Sequence, residues 1–129
     1  MNLLGNANAY TSFSTNKLLD SYLFYQDILG LNVELVNDRL LHLYLPTGDV
    51  VVVYYKKDHT AADFTVLNFE VSRLSRLVRK LSRLGVNFDV PDEKKNSQTS
   101  PEDTVTQTHG SKAAWLRDPG GNIIALIEI

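Results

Sequence analysis

Apolar residues recur at helical spacing in two segments of the chain, and a glycine follows each segment. The first segment carries Leu18, Tyr22, Tyr25 and Leu29. The second carries Leu74, Leu77, Val78, Leu81 and Leu84. Steps of three or four residues predict two amphipathic helices. Gly30 and Gly85 are expected to end them, because glycine readily adopts the left-handed conformation found there. Thr15 or Asn16 is expected to cap the first helix, and Ser72 the second.

β-Branched, aromatic and alternating apolar runs predict strands on both sides of each helix. In the first half the predicted strands are 7–14, 31–36, 40–45 and 50–55. In the second half they are 64–71, 86–90, 113–116 and 123–129. Each half therefore has the order strand, helix, three strands, which indicates an α+β protein.

A short sequence repeat supports this division. Leu-Gly-Leu-Asn-Val at 29–33 recurs 55 positions later as Leu-Gly-Val-Asn-Phe at 84–88. Two copies indicate a duplicated half-domain, since a solenoid needs at least ~3 stacked repeats. We expect one domain over 1–129, with a first module at about 7–57 and a second at about 62–129. Two similar half-sheets facing each other would enclose a cleft.

One long segment differs from the rest of the chain in composition. From Pro91 to Asp103, the two prolines are the only apolar residues. Such a segment buries too little apolar surface to offset its ordering entropy. It is expected to form either a mobile loop or a lid over a site.

Composition excludes several classes of function. The 129 residues are 43% hydrophobic and 22% charged, as expected for one globular domain. A net charge of -2 gives no general attraction to nucleic acid or to an anionic membrane. The absence of cysteine excludes disulfides, thiolate metal sites and a cysteine nucleophile. Neither a signal peptide nor an apolar run of ~20 residues is visible, so a cytoplasmic location is expected.

Three motifs in order resemble the vicinal oxygen chelate superfamily, which includes glyoxalase I, extradiol dioxygenases, fosfomycin-resistance enzymes and bleomycin-resistance proteins. Phe-Tyr followed by Ile-Leu-Gly-Leu closes the first helix at 24–31. Leu-Asn-Phe-Glu-Val at 67–71 precedes the second helix, and Asp-Pro-Gly-Gly-Asn at 118–122 precedes the last strand. The resemblance spans nearly the whole chain. It implies paired βαβββ modules forming a curved sheet around a cleft, and an assembly that is often a homodimer.

The resemblance also locates the metal ligands of the family, which are commonly His and Glu. The corresponding positions here are Tyr10 (or Ala9 with a slipped register), Val53, Val66 and Ala125. Valine and alanine have no lone pair to donate, and a neutral phenol is a poor ligand for a divalent ion. Glu128 is three residues beyond the expected Glu, which in a strand places it on the opposite face from Ala125. We therefore predict that the family's metal site is absent and expect no cofactor.

These substitutions favour binding of an unknown small organic molecule in the cleft without turnover. Tyrosine and tryptophan offer large apolar surfaces with one polar group each, which suits a flat ligand. The candidate ligand-binding residues are Tyr10, His42, Tyr44, Val53, Tyr55, Val66, Asn68, Trp115 and Ala125. Packing in the core or at a dimer interface is an equally good interpretation of the aromatic residues among them.

Two other functions remain open. One is a lyase, isomerase or dioxygenase-like enzyme, with a displaced metal site built from His42, His109 and Glu70 or with acid–base chemistry at His42. The other is a partner module using the basic face of the second helix, formed by Arg73, Arg76, Lys80 and Arg83. A solvated helix face is the stronger interpretation of that basic pattern, and no nucleic acid or membrane partner is expected. His59 lies in a polar connection and is expected to be solvated, while Asp118 and Asn122 are expected to shape a turn.

Overall fold

The computed structural model describes residues 3–91 and 100–129 of the chain. These residues form two compact units, which meet in sequence at His59 and Thr60. Each unit holds one four-stranded sheet and one principal helix.

The first unit contains strands β1 (Thr11–Thr15), β2 (Asn32–Asn37), β3 (Leu40–Tyr44) and β4 (Val50–Tyr55). Helix α1 (Leu18–Leu23) continues into a π-helical turn (Phe24–Ile28). The strand order is β1-β4-β3-β2. β1 runs parallel to β4, and the other two pairs are antiparallel.

The second unit repeats this plan with β5 (Thr65–Glu70), α2 (Leu74–Arg83), β6 (Thr106–Thr108), β7 (Ser111–Arg117) and β8 (Ile123–Glu128). The strand order β5-β8-β7-β6 has the same parallel and antiparallel pairs. The α+β fold of two similar modules, predicted from the sequence, is therefore confirmed.

Each sheet has one face that packs against the helix of its own unit, here called the helix-covered face. In the first unit Phe13 of β1 contacts Tyr25, with ring centroids 6.3 Å apart, and Tyr25 is completely buried. The buried strand residues beside Phe13 are Leu41, Leu43, Val51 and Val53. The other side of the sheet, called the helix-free face, carries the alternate residues of each strand.

The second unit is built in the same way. Leu67, Ala114, Leu116, Ile124 and Leu126 are among its buried strand residues. Leu74, Val78 and Leu81 of α2 are also buried, and they recur at the spacing of one helix face. Gly30 and Gly85, with φ of 77° and 92°, follow the helical segments as predicted.

The helix starts differ from the sequence expectation. Neither α1 nor α2 has a hydrogen bond from the side chain of its N-cap residue, which is Lys17 or Arg73. Thr15 Oγ1 accepts instead from the N–H of Lys17, at 3.1 Å. Thr15 and Ser72 therefore do not cap the helices, and these two predictions are wrong.

The region after α2 also differs from expectation. In place of a strand over 86–90, Phe88 forms a single antiparallel bridge with Leu116. The predicted loop or lid at 91–103 lies mostly outside the described residues. Its described end forms a 3-10 turn (Pro101–Thr104), in which Asp103 and Ser100 make a reciprocal capping box.

Candidate functional site

The helix-free face of the first sheet brings two predicted site residues together. His42 and Tyr44 alternate along β3, and they lie opposite Val52 and Val50 of β4. On the other side of β3, Glu34 of the edge strand β2 lies opposite His42. Side chains directly opposite each other on antiparallel strands are close enough to interact.

Glu34, His42 and Tyr44 form a polar group that we call the Glu34 cluster. The phenol of Tyr44 donates a hydrogen bond to Glu34 Oε1, with 2.6 Å between the oxygens. His42 Nδ1 lies 3.8 Å from the same oxygen. The rings of His42 and Tyr44 meet edge to face, with centroids 6.1 Å apart. One carboxylate oxygen therefore faces both a phenol and an imidazole on a sheet surface.

The hydrogen bond has an electrostatic consequence for Tyr44. The pKa of the Tyr44 phenol is raised above its ordinary value of 10.0, first by its hydrogen bond to Glu34 and then by partial burial and the charge of Glu34. An anionic phenolate next to a carboxylate would be repelled. Tyr44 therefore serves as a neutral donor and acceptor at physiological pH.

A second polar contact in this unit joins Ser14 and His59. Ser14 Oγ and His59 Nδ1 are 2.6 Å apart, and both residues are partly buried. The N–H of His59 also donates to the carbonyl of Lys56. The expectation of a solvated His59 is therefore wrong, because a serine 45 positions earlier holds its ring.

Three other predicted positions in the first unit lie away from the cluster. Val53 pairs with Phe13 and Leu41 on the helix-covered face and is completely buried. Tyr55 follows it by alternation, and the Arg39 guanidinium lies 5.8 Å from its ring centroid. Tyr10 precedes β1 and is 70% exposed. We therefore correct the placement of Val53 and Tyr55, which are not on the same face as His42 and Tyr44.

The four predicted positions of the second unit lie around one row of the sheet. Ala125 of β8 has Asn68 of β5 and Trp115 of β7 as its register neighbours. Trp115 is partly exposed, Asn68 is exposed and Ala125 is buried. Val66 falls at an irregularity of register in β5. The row is on the helix-free face, since its strand neighbours Leu116 and Ile124 belong to the buried core.

The turn before β8 is held by its own side chains. Asp118 Oδ1 accepts from the N–H groups of Gly120 and Asn122, and its Oδ2 accepts from the Asn122 amide at 3.1 Å. Both Asp118 and Asn122 are buried. The predicted turn role of these two residues is confirmed.

A displaced metal site would need several imidazole or carboxylate groups placed together. Within 3–91 and 100–129, no group of three or more His, Cys, Asp or Glu side chains is placed to hold a metal ion. His109 is exposed, and with Gly110 it forms the two-residue turn between β6 and β7. Both turn residues have positive φ, at 47° and 82°, as a type I′ hairpin requires.

Solved structures share the fold of this chain, although no family model and no curated protein matches its sequence. The lactoylglutathione lyase of Agrobacterium tumefaciens matches with a TM-score of 0.69 and 15% identity, over 95% of this chain and 93% of that one. The fosfomycin resistance protein FosX of Listeria monocytogenes matches with a TM-score of 0.71 and 9% identity, over 96% and 93%.

The antibiotic binding protein TnmS3 of Streptomyces sp. CB03234 matches with a TM-score of 0.63 and 18% identity, over 95% of this chain and 97% of that one. The three TM-scores show a common fold. At these low sequence identities, the matches say nothing about a common activity. Separately, no helix among the described residues is long and apolar enough to span a membrane.

Proposed function

We propose that this chain, which has the fold of the vicinal oxygen chelate superfamily, binds a small aromatic or amphipathic molecule without a metal ion. The proposed contacts are made by the helix-free faces of its sheets. In the first unit they are Tyr10 and the Glu34 cluster, beside Val50 and Val52. In the second unit they are Val66, Asn68, Trp115 and Ala125.

The Glu34 cluster is the observation that carries this proposal. A carboxylate, a phenol and an imidazole stand together on the sheet face that their own helix leaves uncovered. Half-buried valines at positions 50 and 52 lie next to His42 and Tyr44 in register. Sites for small organic ligands typically have a few polar groups among apolar and aromatic side chains.

The side chains at the family's ligand positions do not fit a divalent ion. Val66 and Ala125 offer no donor atom, and Tyr10 offers only a neutral phenol. The position assigned to Val53 is on the helix-covered face, and its neighbours along β4, Val52 and Tyr54, supply neither imidazole nor carboxylate. We therefore derive no chemical step through a metal.

Two measurements on the purified protein test this proposal. Elemental analysis of protein prepared without chelator is expected to find Zn, Ni, Mn and Fe well below one equivalent. Trp115 is the only tryptophan, so its fluorescence should change saturably when chelator-treated protein is titrated with 2-naphthol. Near-stoichiometric metal that is lost on changing residues of the helix-free faces would contradict the proposal.

Acid–base catalysis at His42 is the second candidate function. His42 Nδ1 lies 3.8 Å from Glu34 Oε1, and a nearby carboxylate can orient an imidazole that accepts or donates a proton. This arrangement needs no metal. Lyase or isomerase activity on a hemithioacetal, lost in His42→Ala and kept in His109→Ala, would support it over simple binding.

A further inference from the structure

Helix α2 presents an exposed row of positive charges, here called the basic stripe, formed by Arg73, Arg76, Lys80 and Arg83. All four side chains are exposed. Arg76, Lys80 and Arg83 lie on the side of α2 opposite the buried residues Leu74, Val78 and Leu81, and Arg73 immediately precedes the helix. No acidic residue occurs between positions 73 and 83. Among the described residues, no carboxylate forms an ion pair with any of the four.

We propose that the basic stripe is a docking surface for an acidic segment of a partner protein, whose carboxylates pair with these four cations. This surface is separate from the proposed ligand contacts of the second unit, because it lies on the outer side of the helix that covers the opposite face of the same sheet. The binding it supports is therefore additional to the proposed function.

The chain itself contains an example of this recognition. Arg79, on the flank of the basic stripe, has its guanidinium nitrogen 3.0 Å from a carboxylate oxygen of Glu102. Glu102 belongs to the short acidic turn Pro101–Thr104, which is held in shape by its capping box. A carboxylate on a short peptide segment thus already pairs with this side of α2, and the basic stripe continues the same kind of surface.

The shape and composition of the stripe favour an acidic protein segment over other anions. Arg83 lies ten positions after Arg73, so the charges extend over ~15 Å and do not converge on one small anion. Residues 73–84 contain no aromatic side chain for stacking on bases. Leu74, Val78 and Leu81 of α2 are buried in its own unit, whereas a membrane-surface helix needs its apolar residues facing lipid.

A labelled peptide of repeated Glu-Gly units provides the test. About five extended residues cover ~15 Å, so a somewhat longer peptide spans the stripe. Fluorescence anisotropy at low salt should show saturable binding, and this binding should weaken as salt is raised. The double variant R76E/K80E should bind at least about tenfold more weakly, since two attractive pairs become repulsive.

Matched variants make the result specific. K56E/K57E produces the same change of net charge at two exposed lysines of the first unit and should bind like the unmodified protein. R76Q/K80Q removes the two charges without reversing them and should give an intermediate loss of peptide affinity. This variant replaces R76E/K80E in the test if R76E/K80E does not fold. Equal loss in K56E/K57E, absence of peptide binding, or tighter binding of duplex DNA or phosphatidylserine vesicles through the same residues would overturn the proposal.

Discussion

Glu128, near the end of the last strand, accepts a hydrogen bond from the N–H of Leu74, the first residue of α2, at 2.6 Å. The preceding residue, Arg73, has left-handed backbone and offers no side-chain cap. The carboxylate therefore satisfies a free N–H of the helix and lies at the positive end of its dipole. This contact between residues 54 positions apart joins the start of α2 to β8.

Glu128→Ala should lower the free energy of unfolding by ~1 kcal/mol, as does the loss of other helix caps. Urea denaturation, monitored by circular dichroism, measures this change. Glu70→Ala is the matched control, because Glu70 is an exposed glutamate on the adjacent strand β5. Equal destabilisation by both variants would show that Glu128 does not act as a cap.

Removing Glu34 should lower the pKa of Tyr44 towards its ordinary value, because the hydrogen bond to Glu34 is the main cause of the increase. Since the raised pKa favours the protonated phenol in the folded state, its contribution to stability is present below pH 10.0 and is lost as pH rises through the folded pKa. Tyrosinate absorbance of Glu34→Ala and Glu34→Gln, with Tyr44→Phe to assign the signal, measures the shift. Glu34→Gln, which keeps an acceptor, should show the smaller decrease; no change in either would contradict the contact.

Arg79→Ala should raise the pKa of Glu102 only in part. That pKa is below the ordinary 4.5, first because of a backbone N–H and the Ser100 side chain, with Arg79 contributing less. Because the carboxylate form is favoured in the folded state, its contribution to stability is present above pH 4.5 and is lost as pH falls through the lowered pKa. Carbon NMR titration of the glutamate carboxyl groups checks this, with Arg76→Ala as the unaffected control. Complete restoration by Arg79→Ala would contradict the assigned order of causes.

Asn122→Ala should destabilise the second unit by ~1–3 kcal/mol, since it removes a buried hydrogen bond to the Asp118 carboxylate. The backbone bond from the N–H of Asn122 to Asp118 can remain, so the turn itself should persist. Thermal and urea unfolding measure the loss. Asn87→Ala, at an exposed asparagine, should change stability far less; a similar effect in both variants would contradict a specific role for Asn122.

The two helices and the Asp118 turn could be predicted from the sequence, because they depend on residues that are close together along the chain. Helical spacing and the two glycines located both helices, and the Asp118 turn was visible as a motif because its bonds span only a few residues. The division into two βαβββ modules followed from the duplication and the family resemblance. These features need no knowledge of distant contacts.

The sites that depend on register were harder to predict. β4 contains four consecutive valines at 50–53, so no polar alternation indicates which of them face the core. The sequence therefore does not reveal that Val52 shares the helix-free face with His42, whereas Val53, the predicted site residue, faces the core. Glu34 was missed because its meeting with His42 and Tyr44 depends on the pairing of β2 with β3.

Contacts between distant positions left no sequence signal. The bond between Ser14 and His59 joins a strand residue to a polar connection 45 positions later. Likewise, strand alternation predicted that Glu128 faces away from Ala125. It could not predict that Glu128 accepts a hydrogen bond from the N–H of Leu74 at the start of α2. Only the folded backbone brings such donors and acceptors together.

Amide chemical-shift mapping of chelator-treated protein with 2-naphthol tests whether the helix-free faces bind a small aromatic molecule without a metal ion. We expect saturable shifts concentrated at His42, Tyr44, Val52 and Trp115, without added metal, and weaker binding in Tyr44→Phe. Shifts that appear only with added Zn or Ni, that centre on α1 or α2, or that never saturate would contradict a metal-free ligand surface on the helix-free faces.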